Sequence, residues 1–212
     1  MGERFKIQRP KLSGTLQEKV FQYDEEIYYN RCIIKDCHID GEGIESIRCD
    51  EVIFKNVTFD ALSFRKADLL DCVFEHCDLA NADFSEGSIH RVEFKDSKLI
   101  GSNFADASLE NVLFVSCLTK LSTFGFANLK QVAFQSSSLN SADFYECNFQ
   151  RVAFTECNLD EVNFANTSLK GVDLSTCTFE GLQVTWDSLP GCIVTEEQAL
   201  AFARVIGLEI KV

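Results

Sequence analysis

Large apolar residues recur at every fifth position from Ile34 to Val184. The series opens Ile34, Ile39, Ile44, Cys49, Phe54, Phe59, Phe64, Leu69 and Phe74. It continues in one unshifted register to Leu169, Leu174, Phe179 and Val184, making 31 positions of which only Cys49 and Thr119 are not large and apolar. A period of five matches neither a helix, at 3.6 residues per turn, nor a strand, with its period of 2. It belongs to a repeat architecture.

A second column lies two residues before each of these centres. It reads Cys32, Cys37, Val52, Val57, Ala67, Cys72, Cys77, Ala82, Val92 and onward to Val172 and Cys177. These residues are small and mostly apolar. Each pentad therefore offers one small and one large inward residue, separated by one outward residue, which is the alternation of a strand. The remaining two residues must turn a corner. Asp71, Asn81, Asn111 and Asn166 stand at such corners.

Units such as Ala67-Asp68-Leu69, Ala82-Asp83-Phe84, Ala127-Asn128-Leu129 and Ala142-Asp143-Phe144 resemble the A-(D/N)-(L/F)-x-x motif of the pentapeptide-repeat family. The resemblance covers roughly three quarters of the chain. It implies an all-β solenoid, a right-handed quadrilateral β-helix with four pentads per coil. Positions 20 apart should then stack, and the sequence carries that order independently. Residues 54, 74, 94, 114, 134 and 154 are all Phe, as are 64, 84, 104, 124, 144 and 164. The column at 69, 89, 109, 129 and 169 is Leu or Ile, with Phe149 the exception. Nearly eight coils at ~4.8 Å each predict a rod ~37 Å long.

The pattern divides the chain into three. Residues 1–30 are off register and are expected to form an N-terminal cap or irregular first coil. Residues 31–185 are the repeat. Residues 186–212 form a C-terminal helix and tail. In the tail, Thr195-Glu196-Glu197-Gln198 reads as a capping box opening a helix. Gly207 fits its C′ stop. The helix is apolar on more than one stripe, so it is expected to plug the last coil on one side and meet a partner on the other. Leu200, Phe202, Ala203, Val205, Ile206, Leu208 and Ile210 are the expected interface of a two-fold homodimer.

Two features inside the repeat are open. Thr119, a polar centre flanked by Leu118 and Leu121, is equally readable as a kink or as a tolerated substitution. The outward positions preceding one Phe ladder (Ile33, Ile53, Val73, Glu93, Leu113, Ala133, Ala153 and Asp173) are mostly apolar although they should face solvent. Such a stripe marks either a contact surface or β-branched cross-strand packing.

Charge narrows the partner class. The net charge is −13, which argues against nonspecific binding to nucleic acid or to anionic membranes. Eight of the ten cysteines fall in the small inward column and read as buried small hydrophobes. No C-x-x-C spacing invites zinc. Inward thiols and the absence of a signal peptide pattern point to a cytoplasmic location. Cys192 alone lies outside the register and is a candidate reactive thiol. His38, His76 and His90 fall in outward positions without catalytic or metal spacing. A rod without loops offers no evident pocket, so no enzymatic activity and no cofactor are expected.

Within the family, the chain resembles the loop-free members of the Qnr and MfpA-type branch. These are C-terminally dimerised rods that bind DNA gyrase or topoisomerase IV and protect them from quinolones. That resemblance implies that surface carboxylates stand in for DNA phosphates. The candidates are Asp50, Glu51, Asp68 and Asp71 around one edge, with Asp83, Glu86, Asp106, Asp143 and Glu146 along the adjacent face. The competing expectation is an interaction scaffold for an unrelated protein, since the fold alone does not fix function.

Overall fold

The computed structural model describes residues 6–22, 26–40, 46–60, 63–205 and 207–209. Its strands are β1 (Gln17–Glu18), β2 (Glu26–Asp40), β3 (Ser46–Asp60), β4 (Asp68–Glu75), β5 (Ser88–Lys95), β6 (Ser108–Val115), β7 (Asn128–Gln135) and β8 (Asn148–Thr155). These form one parallel sheet in sequence order, β1 to β8. From β2 onward every pair is offset by 20 residues, as in Phe54↔Phe74, Phe74↔Phe94, Phe94↔Phe114 and Phe114↔Phe134. The chain is thus a solenoid of four pentads per coil. The other walls show the same offset in isolated bridges, for example Asp83↔Asn103↔Thr123↔Asp143↔Asn163. Two further short strands, β9 (Val162–Asn163) and β10 (Leu182–Gln183), continue it.

One backbone device makes each corner. The second residue after each centre takes a left-handed conformation, as in Asp71 (φ 53°), His76 (φ 53°), Asn81 (φ 60°) and Glu86 (φ 58°). Left-handed backbone is disfavoured for residues with a Cβ, and Asn and Asp tolerate it best. That accounts for the Asn and Asp corners, such as Asp71, Asn81 and Asn111. Gly101, at φ 70°, fills the same position; a Cβ there would meet Asn81 Oδ1 of the neighbouring coil at 2.5 Å.

The large inward residues form the core. The two Phe ladders stack ring on ring, with centroids between 4.6 Å (Phe64–Phe84) and 5.3 Å (Phe144–Phe164). Rings of opposite ladders meet edge to face, as in Phe104–Phe114 at 6.0 Å and 89°. Both geometries are preferred by aromatic quadrupoles. The small column has its own logic. Its thiols and hydroxyls donate to a backbone carbonyl 23 residues earlier: Cys117 Sγ to Phe94 O at 3.3 Å, Ser122 Oγ to Leu99 O at 2.8 Å, and Thr167 Oγ1 to Phe144 O at 2.6 Å. Small donors therefore satisfy carbonyls inside the rod. All ten cysteines are free. Burial pushes Cys72, Cys77, Cys117 and Cys147 up to about 12. The candidate reactive Cys192 is likewise pushed up, to about 11, by burial and then by Asp173. Little of it is thiolate at neutral pH, which counts against a reactive role.

Thr119 makes no kink. It is fully buried, its Oγ1 donates to Ser138 O at 3.0 Å, and the bridges Lys98↔Leu118↔Ser138 run past it without a break. Its hydroxyl, like those of the small column, is satisfied by a backbone carbonyl, but one in the following coil and not in the preceding one.

The two ends are closed differently. At the C-terminus, helix α1 (Glu196–Val205) follows a reciprocal capping box in which Gln198 N donates to Thr195 Oγ1 and Thr195 N donates to Gln198 Oε1. Gln198 Nε2 donates to Leu174 O and Cys177 O, both at 2.9 Å, and Phe202 packs on Phe179 at 5.6 Å. The helix thereby covers the last coil. Gly207 (φ 82°) ends it, with Leu208 N bonded to Ala203 O. At the N-terminus, β1 lies on β2 with Gln17↔Cys32, one pentad short of a full coil, and buried Phe21 packs on Tyr29 at 5.6 Å.

Residues 6–13 do not join this end cap. They run down the outside of the rod, against the direction in which the coils advance. Gln131 Nε2 donates to Lys6 O, Gln8 N to Asn111 Oδ1, Lys11 N to Asp71 Oδ1 and Ser13 N to Glu51 Oε2, at 2.7–3.0 Å. The outward stripe expected to face solvent is buried along this path: Val73 at 7% exposure, Glu93 at 2%, Leu113 at 3% and Ala133 at 1%. The apolar stripe is a seat for the chain's own N-terminal segment.

The ladder sets the energetics. Phe104→Ala, at a fully buried site stacked on both sides, is expected to cost about 3–5 kcal/mol. Phe149→Leu, which restores the residue type of its own column, should cost less than about 1.5 kcal/mol. Urea denaturation of the two variants checks the difference; equal losses would show that the ladder is not what holds the coils.

Candidate partner-binding surface

The 20-residue coil sorts the candidate carboxylates into columns along the rod. Glu51 and Asp71 stand at one corner, in line with Arg31, Arg91, Asn111 and Gln131. Glu86, Asp106 and Glu146 stand at another, in line with Lys66, Phe126 and Asn166. Asp83 and Asp143 share an outward column on the adjoining wall. Asp50 and Asp68 flank the first corner on successive strands.

The first edge is largely engaged within the chain. Asp71 is buried and takes a bidentate pair from Arg91, with Nε to Oδ1 and Nη2 to Oδ2 both at 2.6 Å. Glu51 receives both the amide and the hydroxyl of Ser13 and pairs with Arg31 at 3.4 Å. Asp68 pairs with Arg48 at 3.3 Å, and Asp50 accepts from Asn30 Nδ2 at 3.2 Å.

The adjacent face is freer. Asp83 and Asp143 serve their own turns, accepting from the amides of Ser85 and Tyr145 and from Asn103 and Asn163 one coil on. Glu86 is exposed but paired with Arg65 at 2.6 Å and with Lys66 at 3.5 Å, and Arg65 first, then Lys66, hold its carboxyl below the usual range. Asp106 and Glu146 are exposed and form no ion pair among the described residues. The corner column Glu86–Asp106–Glu146 is therefore the part of the candidate set most open to a partner.

This column also carries an apolar interruption. Phe126, at φ 61°, is 52% exposed and packs edge to face with Tyr145 at 5.6 Å. Leu121, at φ 59°, is 65% exposed on the next corner, with Leu118 at 46% nearby in the same coil. Bulky residues are rare in this backbone region. Sequence reasoning noted Leu118 and Leu121 only as flanks of Thr119, and missed Phe126. The signal was present: both Leu121 and Phe126 occupy the corner phase, where polar residues dominate.

At the C-terminal end, Leu200 and Leu208 are exposed, while Phe202 and Ala203 are half-buried against the last coil. With Trp186, Leu189, Cys192 and Val194 the latter two line an apolar recess of about 270 Å³. The side chain of Val205, and residues Ile206 and Ile210, lie outside the described residues. Among the described residues no group of His, Cys, Asp and Glu is placed to hold a metal ion, and no helix is long and apolar enough to cross a membrane.

These features define a β-solenoid whose chemistry lies on its outer walls. The pattern of the pentapeptide repeat region matches residues 47–124, 67–144 and 127–193, so the chain belongs to the pentapeptide-repeat family. It is similar to the uncharacterised protein YisX of Bacillus subtilis (strain 168), 40% identical over 87 residues, spanning 40% of this chain and 41% of that one. The match therefore spans about two fifths of the relative's length. Among solved structures it is similar to full-length QnrB1, a plasmid-mediated fluoroquinolone resistance protein. That match has 15% identity and a TM-score of 0.45, covering 83% of this chain and 100% of that one. It is also similar to a pentapeptide repeat protein of the Arabidopsis thaliana thylakoid lumen, with 24% identity and a TM-score of 0.42, covering 46% and 68% of the two chains.

Two carboxyls tie the N-terminal segment to pH. Burial pushes Asp71 up, but Arg91 and the Lys11 amide outweigh it and hold it low. Ser13 holds Glu51 low by its hydroxyl and amide. A folded-state value below the unfolded one gives stabilisation that is present above the unfolded pKa and lost as pH falls through the folded one. Exchange protection of the Lys11 and Ser13 amides should hold above about pH 5 and fall below about pH 4. Protection that stays flat through this window would separate the segment from these carboxylates.

Proposed function

We propose that this chain is a non-enzymatic, DNA-mimicking rod that binds a type II topoisomerase, DNA gyrase or topoisomerase IV, and modulates quinolone susceptibility. The observation that carries the reading is the exposed corner column Glu86–Asp106–Glu146 on coils that repeat at a constant 20-residue offset. One coil advances ~4.8 Å, so Glu86 and Asp106 stand one coil apart and Glu146 two coils further on, past Phe126, in one line along the rod. Such a track meets a basic DNA-binding saddle by charge complementarity, which acts chiefly on association rate. In this reading the protein is a cytoplasmic homodimer joined at its C-terminal ends, ~75 Å across both rods. Exposed Leu200 and Leu208 beside the apolar recess support that contact.

A second reading has one observation in its favour. The exposed Leu118, Leu121 and Phe126 give the rod a non-ionic contact point, suited to a scaffold for another protein.

Gyrase supercoiling and quinolone-induced cleavage assays test the first reading. Both should respond to micromolar protein, and the triple variant E86Q/D106N/E146Q should lose about tenfold in potency, with a flatter salt dependence. No response to the unmodified protein at that concentration sinks the topoisomerase reading. A response that survives the triple variant but not Phe126→Ser moves the contact to the apolar patch. Sedimentation tests the assembly separately: Leu200→Asp should shift a dimer to monomer, and an unchanged dimer would move the interface elsewhere.

A further inference from the structure

The wall from Glu51 to Gln131 already holds a peptide, and that peptide is the chain's own. Its recognition is mostly of backbone: the carbonyl of Lys6 and the amides of Gln8, Lys11 and Ser13 meet side chains that project from successive corners. Seven residue steps cover four coils. Four coils advance ~19 Å and seven extended residues reach ~23 Å, so an extended chain of any sequence keeps pace. Side chains add charge and apolar contact. Lys6, Arg9 and Lys11 carry the segment's charge and it contains no acid, while Glu51, Asp71 and Glu93 lie along the wall. Ile7 and Pro10 are half-buried on the wall that carries the buried stripe of Val73, Leu113 and Ala133, whereas Leu12 is 38% exposed.

The seated segment fits this wall imperfectly. The Glu93 side chain is 3% exposed, and its Oε1 has no hydrogen-bond donor among the described residues. Lys95 reaches Oε2 at 2.7 Å, but Arg9 Nε stands 3.4 Å from Oε1 in poor alignment, on a side chain that is 71% exposed. A buried carboxylate oxygen left short of a donor favours any occupant that supplies a better one. Most of the segment is exposed and it belongs to no ladder, so it opens at lower cost than the coils beneath it. Gly14, at φ 59°, turns the chain where it leaves the wall.

We infer that this wall is a groove for an extended, basic, apolar-interleaved segment of a partner protein, and that Lys6–Ser13 is the resident occupant such a segment displaces. The groove lies on a different wall from the Glu86–Asp106–Glu146 column and does not rest on the topoisomerase reading. The arithmetic of tethering sets the expected size of the effect. A short tether holds its segment at an effective concentration of about 1 mM, so a groove with an intrinsic Kd of about 10 μM binds a competing peptide about 100-fold more weakly while the segment is in place.

The test uses the full chain and a fluorescein-labelled peptide with the sequence of residues 6–14. The double variant R9E/K11E turns the tethered segment against its acidic wall and opens the groove. Fluorescence polarisation at low salt should show the variant binding the peptide about 100-fold more tightly than the unmodified chain, with affinity falling as salt rises. Glu93→Gln added to the variant should weaken that binding about tenfold. A folded variant that binds no peptide, or binding equal to that of the unmodified chain, overturns the inference. A concentration-dependent dimer of the unmodified chain that R9E/K11E abolishes also overturns it, since the segment would then be exchanged between two copies. Should the variant fail to fold, hydrogen exchange on the unmodified chain decides. The Gln8, Lys11 and Ser13 amides should exchange at least about 100-fold faster than those of β5 and β6, and protection equal to the core's counts against displacement.

Discussion

Every coil depends on one local compromise: a residue in left-handed backbone once per pentad, held there by ladders to the coils above and below. The cost is of order 1 kcal/mol for each non-glycine residue, and it is met at nearly every described corner, from Arg31 to Asn166. What offsets it is the exact repetition of the turn. Because each corner falls in the same phase, the corner amides find carbonyls one coil away, as in Asn81 N to Ile100 O and Gly101 N to Lys120 O, while the amide after each such corner closes its own turn, as in Ala82 N to Leu79 O. Each inward ring lies over its equivalent, adding about 0.5–1.5 kcal/mol per aromatic pair beyond burial. A single inserted residue would move large side chains outward for the rest of that wall. The absence of insertions between Ile34 and Val184 is therefore a requirement of the packing.

The same repetition governs the surface. Side chains 20 residues apart are neighbours, and the ion pairs follow that rule: Arg31–Glu51, Arg48–Asp68, Lys55–Glu75, Arg91–Asp71, Lys98–Asp78 and Lys130–Glu110. The exposed members of this set contribute little stability each. Their larger effect is to neutralise particular columns. The net charge of −13 is thus not spread evenly around the rod. It concentrates where a rung lacks its basic partner, as at Asp106 and Glu146.

Solenoids must also deal with whatever their walls leave over. Here one wall carries an apolar stripe and a carboxylate at Glu93 that solvent barely reaches. Covering that stripe with residues 6–13 removes an exposed patch of the kind that otherwise invites association. It also consumes part of the acidic edge, since Asp71 and Glu51 spend their lone pairs on Lys11 and Ser13. The wall with the richest charge is not the one with the freest charge.

The period of five, the four-to-a-coil stacking and the two Phe ladders were legible from residue spacing, because nearest-neighbour contacts in a solenoid are fixed by register alone. The capping box at Thr195–Gln198 and the stop at Gly207 were legible for a similar reason: both are local backbone chemistry. Thr119 was not, because its hydroxyl is satisfied by Ser138 of the next coil and only the ladder shows that carbonyl within reach. Nor was the fate of the outward stripe at Val73, Leu113 and Ala133. The basic N-terminal segment and the stripe are far apart in sequence and share no period, so nothing in the spacing links them. Only the folded rod, which brings Asn111, Asp71 and Glu51 into one line, turns those separate corners into the seat on which residues 6–13 lie.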